Sequence, residues 1–334
     1  MKTYVVAVVG ATGLVGTEMI QTLERRQFPV HKLVPLASEK SKGRYVQFNG
    51  ESVAVEVLTE DSFAGVDFAL FSAGGAISER FAPSAVRHGA IVIDNTSFFR
   101  MHTDVPLVVP EVNAHALKNH NGIIANPNCS TAQLVVALKA IHDVAKITRI
   151  VISTYQSVSG AGKLAMAGLE AEAQERIATG KSETKAFAHP IAFNLIPQID
   201  KFEANGYTKE EMKMIQETKK ILGDDSIQIT ATCVRVPVLV SHSESVVIET
   251  EKKVTPDEFR NLLSQSKGVV VVDDPSNGLY PMPLQTAATD PVYVGRIRED
   301  LAFKNGLSMW IVADNLRKGA ALNAVQIAEV MIQK

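Results

Sequence analysis

Cysteine is scarce. Cys129 and Cys233 are the only two in 334 residues, too few for a disulfide framework, and a reducing compartment fits that count. Excess charge is also lacking: the formal net is -2, which gives no electrostatic pull toward nucleic acid or an anionic membrane surface. No apolar run approaches the roughly 20 residues of a membrane-spanning helix. The apolar run near the N-terminus is short and lacks the cleavage-type segment of a secretory signal. There is no low-complexity tract and no repeat with a period of about 20–50 residues, which argues against a solenoid. Histidines, cysteines and carboxylates do not cluster at metal-ligand spacing, so no metal is expected. What remains is a chain of ordinary apolar content, 46%, long enough for two domains and expected to be cytoplasmic and globular.

The chain opens with a wholly apolar run, residues 4–9, as expected of a strand covered on both faces. It meets Gly10-Ala11-Thr12-Gly13-Leu14-Val15-Gly16, followed by a helical pattern over residues 17–26. Strand, glycine turn and helix together are the opening of a dinucleotide-binding unit, although the spacing is G-x-x-G-x-x-G rather than G-x-G-x-x-G. A second strand, residues 31–37, ends in Ser38-Glu39-Lys40-Ser41-Lys42-Gly43-Arg44. Hydroxyls and cations at this place suit a ribose 2′-phosphate and favour NADP, while Glu39 argues for NAD. Strands over 66–71 and 90–93 alternate with a helix over 77–88, so the sheet is parallel. A last short strand, 123–125, leads into Asn126-Pro127-Asn128-Cys129-Ser130-Thr131.

Pro127 cannot continue a helix, Asn128 and Ser130 are good caps, and the apolar run that follows reads as a buried helix. Cys129 therefore falls in the first turn of that helix, where unpaired N–H groups and the helix dipole favour a thiolate and can hold an oxyanion. The alternative is a buried structural cysteine.

Beyond residue 142 the pattern changes. Strands are expected over 147–154, 227–240, 245–250 and 268–272, with helices over 164–178 and 209–222, which is the makeup of a second, α+β domain. The helical stretch 316–332 is expected to return to the first domain. Gln156, at a strand end, can present its amide to a ligand carboxylate or carbonyl, the alternative being an ordinary exposed glutamine. The segment Gln156-Ser157-Val158-Ser159-Gly160-Ala161-Gly162-Lys163 lacks the first glycine and the hydroxyl of a P-loop, so ATP binding is not expected. Arg235 can grip a carboxylate with paired hydrogen bonds, and His242 can move a proton. Seven residues apart on one strand they face opposite sides, so a shared pocket requires a bend, which Pro237 and Ser241 make plausible. Otherwise they are simply residues of a half-exposed strand.

These segments, with Phe193-Asn194-Leu195-Ile196-Pro197-Gln198-Ile199-Asp200, Val294-Gly295-Arg296-Ile297-Arg298-Glu299-Asp300 and Asp314-Asn315-Leu316, resemble the aspartate-semialdehyde dehydrogenases, in order and over essentially the whole chain. The related N-acetyl-glutamyl-phosphate reductases typically have a glycine before the cysteine and Tyr-Pro after it, unlike Asn128 and Ser130-Thr131 here. A non-catalytic nucleotide-binding regulator on the same fold is the remaining alternative.

The resemblance implies an α/β, Rossmann-like domain (1–129 and 315–334) and an α+β catalytic and dimerisation domain (130–314). It implies that Cys129 forms a thioester, that His242 is the acid/base, and that Gln156, Arg235 and Glu210 hold the amino-acid substrate, with the choice of Glu210 over Glu211 left open. Arg100 and Lys213 would bind phosphate. Gly10, Ala11, Thr12, Gly13, Leu14, Val15, Ser38, Ser159, Gly160 and Asn315 would contact NADP, although the family often has arginine where Lys40 stands. It further implies NADP-dependent interconversion of aspartyl phosphate and aspartate semialdehyde with release of inorganic phosphate, in lysine, threonine and methionine biosynthesis, by a homodimer or dimer of dimers.

Overall fold

The computed structural model describes residues 2–183 and 186–333; Met1 and Lys334, the ends of the expected cofactor domain, lie outside them. The chain divides into two compact units. One comprises the residues up to Asn128 together with those from Ala320 onward, and the other is Cys129–Gly319. The first division thus falls one residue before the boundary expected at 129/130, and the second lies five residues beyond the one expected at 314/315.

In the first unit six parallel strands lie in the order Glu56–Val57, Val30–Ala37, Tyr4–Val9, Phe68–Phe71, Ile91–Asp94, Ile123–Ala125. Phe68–Phe71 is buried at every position, as a strand with both faces covered must be. Val9 is level with Leu36 and Phe71, and Asp94 with Ala125. The segments beginning at Gly10, Ser38, Ser72, Asn95 and Asn126 therefore all leave the carboxyl edge of one sheet, where ligands of such folds bind.

The first helix, Leu14–Arg25, starts three residues earlier than expected, directly off the glycine turn. The terminal helix Leu322–Ile332 returns to this unit. Its Val325, Ile327 and Ala328 share one core with Met19, Ile20 and Leu23, and Arg26 pairs with Glu329 at 2.6 Å. A hairpin, Tyr45–Phe48 with Glu51–Ala54, was not anticipated. Its turn is Asn49-Gly50, both at positive φ, the dipeptide that two-residue hairpins favour.

The second unit holds a mixed sheet in the order Gln228–Arg235, Ile147–Gln156, His242–Thr250, Gly306–Ala313, Val292–Glu299, Val269–Val271. Buried and half-exposed residues alternate along most of Ile147–Gln156, so the sheet has one covered and one open face. Helices Cys129–Ala145, Lys209–Leu222 and Pro256–Ser264 pack on this sheet.

The single strand expected over 227–240 is corrected here. It stops at Arg235, runs through Pro237, which has no N–H to offer a ladder, and restarts at His242 after Ser241 turns at φ 77°. Strands Val292–Glu299 and Gly306–Ala313 were not anticipated either. Among the described residues no helix is long and apolar enough to cross a membrane.

Candidate active site

The break at Ser241 decides the geometry of the second unit. Because the chain turns there, Arg235 and His242 end up on two different strands with Ile147–Gln156 between them. Arg235 is level with Gln156, and Ser243 with Tyr155. Three polar side chains thus arrive at the same end of three neighbouring strands. All three are almost completely buried.

Cys129 is the first residue of a 17-residue helix with no acidic residue in its first turn. Its neighbour Ser130 accepts a hydrogen bond from Gln156 Nε2 at 3.0 Å. One turn further on, Gln133 Nε2 donates to the His242 carbonyl at 3.4 Å. Helix start and strand ends are therefore stitched together. Electrostatically, Arg235 interacts with Cys129, and His242 with Arg235.

The imidazole is fixed from one side. His242 Nδ1 accepts the Ser157 backbone N–H at 3.0 Å, with the Ser157 hydroxyl also at 3.0 Å. A ring nitrogen that accepts a backbone N–H carries no proton, so the neutral ring carries it on Nε2. Nε2 is buried and makes no hydrogen bond among the described residues. Burial first, and the Arg235 charge second, pull this histidine down to about 3, so it is neutral throughout the physiological range.

Arg235 Nη1 donates to the Ser157 carbonyl at 2.7 Å, and its guanidinium stands 5.7 Å from the Phe187 ring centre. Burial lowers its pKa, while Glu210 and Cys129 favour the charge. Gly160 covers both groups: a Cβ there would come within 3.0 Å of Arg235 Nη1 and 3.4 Å of His242 Nε2.

Of the two candidate glutamates, Glu211 is fully committed to the backbone. One oxygen accepts Thr208 N–H at 2.7 Å in a capping box and the other accepts Cys233 N–H at 2.9 Å. Glu210 instead meets Gln156 Nε2 at 3.3 Å and Lys213 Nζ at 3.1 Å. Lys213 also reaches Asp200 at 3.0 Å. Burial opposes its charge, but the two carboxylates hold its pKa above the ordinary lysine value. The Asn315 side chain is spent on bracing: Oδ1 accepts from Ser157, Ser159 and Ser241, and Nδ2 donates to Ser159.

The remaining candidates lie in the first unit. Arg100 donates to the carbonyls of Asn126 and Asn95 at 2.9 and 2.8 Å. Buried Asp94 steadies the same loop through Thr96 and Ser78. Gly10 turns at φ 89°, and a Cβ on Gly16 would stand 2.1 Å from the Gly10 carbonyl oxygen. Only glycine fits so close a strand–helix approach. The first helix starts without a side-chain cap and without an acid in its first turn, which leaves its N-terminus suited to a pyrophosphate. Thr12 and Ser41 hydroxyls lie 3.1 Å apart. Ser38 and Lys40 are exposed, and Glu39 pairs with Lys42 at 3.2 Å.

The site also includes Gly319, which was not among the expected residues. The last helix is entered through a π-type turn, Arg317–Ala321, and a Cβ on Gly319 would stand 2.6 Å from the Cys129 Cβ. Only a glycine inside a helical pattern hinted at this.

A parallel sheet with a glycine-turn helix start, followed by a domain that presents a cysteine at a helix N-terminus, defines a class: the two-domain semialdehyde dehydrogenases. Family models agree along the chain. The model described as semialdehyde dehydrogenase, NAD binding domain matches residues 5–120, and the one described as semialdehyde dehydrogenase, dimerisation domain matches 138–318. The chain belongs to the aspartate-semialdehyde dehydrogenase family. It is 54% identical to that enzyme from Aquifex aeolicus, over 99% of this chain and 98% of the relative, and 52% identical to that from Bacillus subtilis, over 97% and 96%. The crystal structure of aspartate semialdehyde dehydrogenase II from Vibrio cholerae, complexed with ASA, superposes with a TM-score of 0.97 at 47% identity, covering 100% of this chain and 99% of that one.

Proposed function

We propose that the protein interconverts L-4-aspartyl phosphate and L-aspartate 4-semialdehyde with NADP, through a thioester on Cys129, in the biosynthesis of lysine, threonine and methionine. The observation that carries this is the convergence of Gln156, Arg235 and His242 at the helix start occupied by Cys129. In the oxidative direction the sulfur adds to the aldehyde carbon, a C–S bond forms, and the carbonyl electron pair moves to oxygen. The His242 Nε2–H is the donor available to that oxygen, and it takes its hydrogen bond back when the C=O bond re-forms as the thioester. A bound nicotinamide supplies one thing, acceptance or return of a hydride at the carbon joined to sulfur. Phosphate then attacks the thioester, the C–S bond breaks, and Cys129 is regenerated.

Arg235, a buried cation, suits the substrate α-carboxylate. Gln156 suits its orientation, and Glu210, an acid in contact with Gln156, suits the ammonium group. Lys213 and Arg100 are the proposed phosphate cations. The uncapped N-terminus of Leu14–Arg25 supports a dinucleotide contacted by residues 10–15. Ser38 and Lys40, beside a Glu39 already paired with Lys42, support a 2′-phosphate and hence NADP. Ser159 and Gly160, with Asn315 bracing them, are the proposed contacts from the second unit. The half-exposed sheet face of that unit suits a second copy of the chain, in a homodimer or dimer of dimers.

Protein mixed with NADP, phosphate and aspartate semialdehyde should generate NADPH absorbance, and Cys129→Ser should abolish it. Iodoacetamide should modify Cys129 well before Cys233, whose thiol is held neutral by burial. Equal alkylation rates, or a fully active serine variant, would overturn the thioester.

A further inference from the structure

Glu244 follows His242 by two residues on the central strand His242–Thr250, so both side chains point to the same face. It is completely buried, and neither of its oxygens has a well-aligned hydrogen-bond partner among the described residues. The polar group against it is Gln133, on the helix that Cys129 begins. Gln133 has turned its Nε2 to the His242 carbonyl, and its own Oε1 is likewise buried with no donor among the described residues. Three acceptors therefore meet, and the Gln133 Nε2 donor beside them is turned to the His242 carbonyl. A buried ionised carboxylate in that company is strongly disfavoured, and none of the proposed catalytic steps uses it.

We infer that Glu244 is a protonated carboxylic acid whose O–H donates to Gln133 Oε1, and that this pair is a positioning device for His242. One proton satisfies the arrangement: Glu244 O–H to Gln133 Oε1, then Gln133 N–H to the His242 carbonyl. Burial, outweighing the Gln133 contact, pushes the Glu244 pKa well above the ordinary glutamate value. The Cys233 thiol, which feels the Glu244 charge, and the His242 ring on the same face are both held neutral by burial. Gln133 lies four residues, about one helical turn, from Cys129, so the link ties the main chain of the histidine to the helix that carries the sulfur. The Ser157 N–H fixes the ring, and Gln133 fixes the strand beneath it. The inference rests on the reading of His242 given above only for its kinetic consequence.

The test uses the full-length protein with Glu244→Gln and Glu244→Met. In the infrared difference spectrum of wild type minus Glu244→Gln near neutral pH, a carboxylic-acid carbonyl band that shifts in deuterated water is expected. A carboxylate band in its place overturns the proposal. Glu244→Gln keeps a donor and should retain the wild-type kcat. Glu244→Met keeps the volume but leaves Gln133 Oε1 without a donor, and should lose about 10- to 100-fold in kcat with KM little changed. A Glu244→Met enzyme with wild-type kcat, or a Glu244→Gln enzyme equally impaired, overturns the positioning role. If His242→Asn keeps full activity, the proposed role of the histidine fails, yet the infrared band still decides the state of Glu244.

Discussion

Gly319 takes no part in bond making, but its missing side chain makes room for Cys129. A methyl group placed there would stand 2.6 Å from the Cys129 Cβ and 3.0 Å from its Cα, well inside contact distance, and neither atom belongs to a flexible side chain. Gly319→Ala should therefore displace the cysteine rather than be absorbed, lowering kcat by about tenfold or more and stability by about 1–3 kcal/mol. Steady-state kinetics and urea unfolding of the same sample check both. The individual residues of the site were unevenly legible from sequence. Cys129, Gln156, Arg235 and His242 are residue types with chemistry of their own, and they stood out beside strand ends and a capped helix start. Gly319 and Gln133 act through space filled or a hydrogen bond aimed, and spacing along the chain carries no trace of which neighbour they will meet.

At the scale of elements, the helix Lys209–Leu222 was readable to the residue because its boundary is local chemistry: Thr208 and Glu211 form a capping box, and Gly223 ends the helix at φ 70°. The same box separates two adjacent glutamates by task. Glu211→Ala removes acceptors from the Thr208 and Cys233 N–H groups and should cost about 2–4 kcal/mol of stability while leaving KM for aspartate semialdehyde near wild type. Glu210→Ala should do the reverse, raising KM with little loss of stability. Urea unfolding paired with kinetics separates the two, and equal profiles would contradict the assignment. Strand limits were harder to read. The apolar run through Cys233 and Val240 has uninterrupted strand character except at Pro237, and the turn depends on Ser241 adopting φ 77°, held by its N–H to Asn315 Oδ1, 74 residues away. A bend anchored by so distant a partner cannot be located from its own neighbours. The parallel sheet of the first unit posed no such difficulty, since fully apolar strands ending in glycine and hydroxyl residues occur in little else.

For the molecule as a whole, the consequential feature is that the first unit is built from both ends of the chain. Ala321, Ala324, Val325, Ile327 and Ala328 are completely or almost completely buried against residues numbered below 125. A polypeptide stopped after residue 319 should leave that apolar surface open, bind a hydrophobic dye and aggregate. Supplying the final segment, fused to residue 128 through a short glycine–serine linker, should restore a cooperative melt. Far-UV circular dichroism and dye fluorescence of the two polypeptides check this. The arrangement also sets a timetable on the ribosome. The cofactor half is translated first but is completed last, after a delay on the order of ten seconds or more while the intervening unit is made. Until then a nascent chain with its strands laid down and one flank bare is a client for a chaperone.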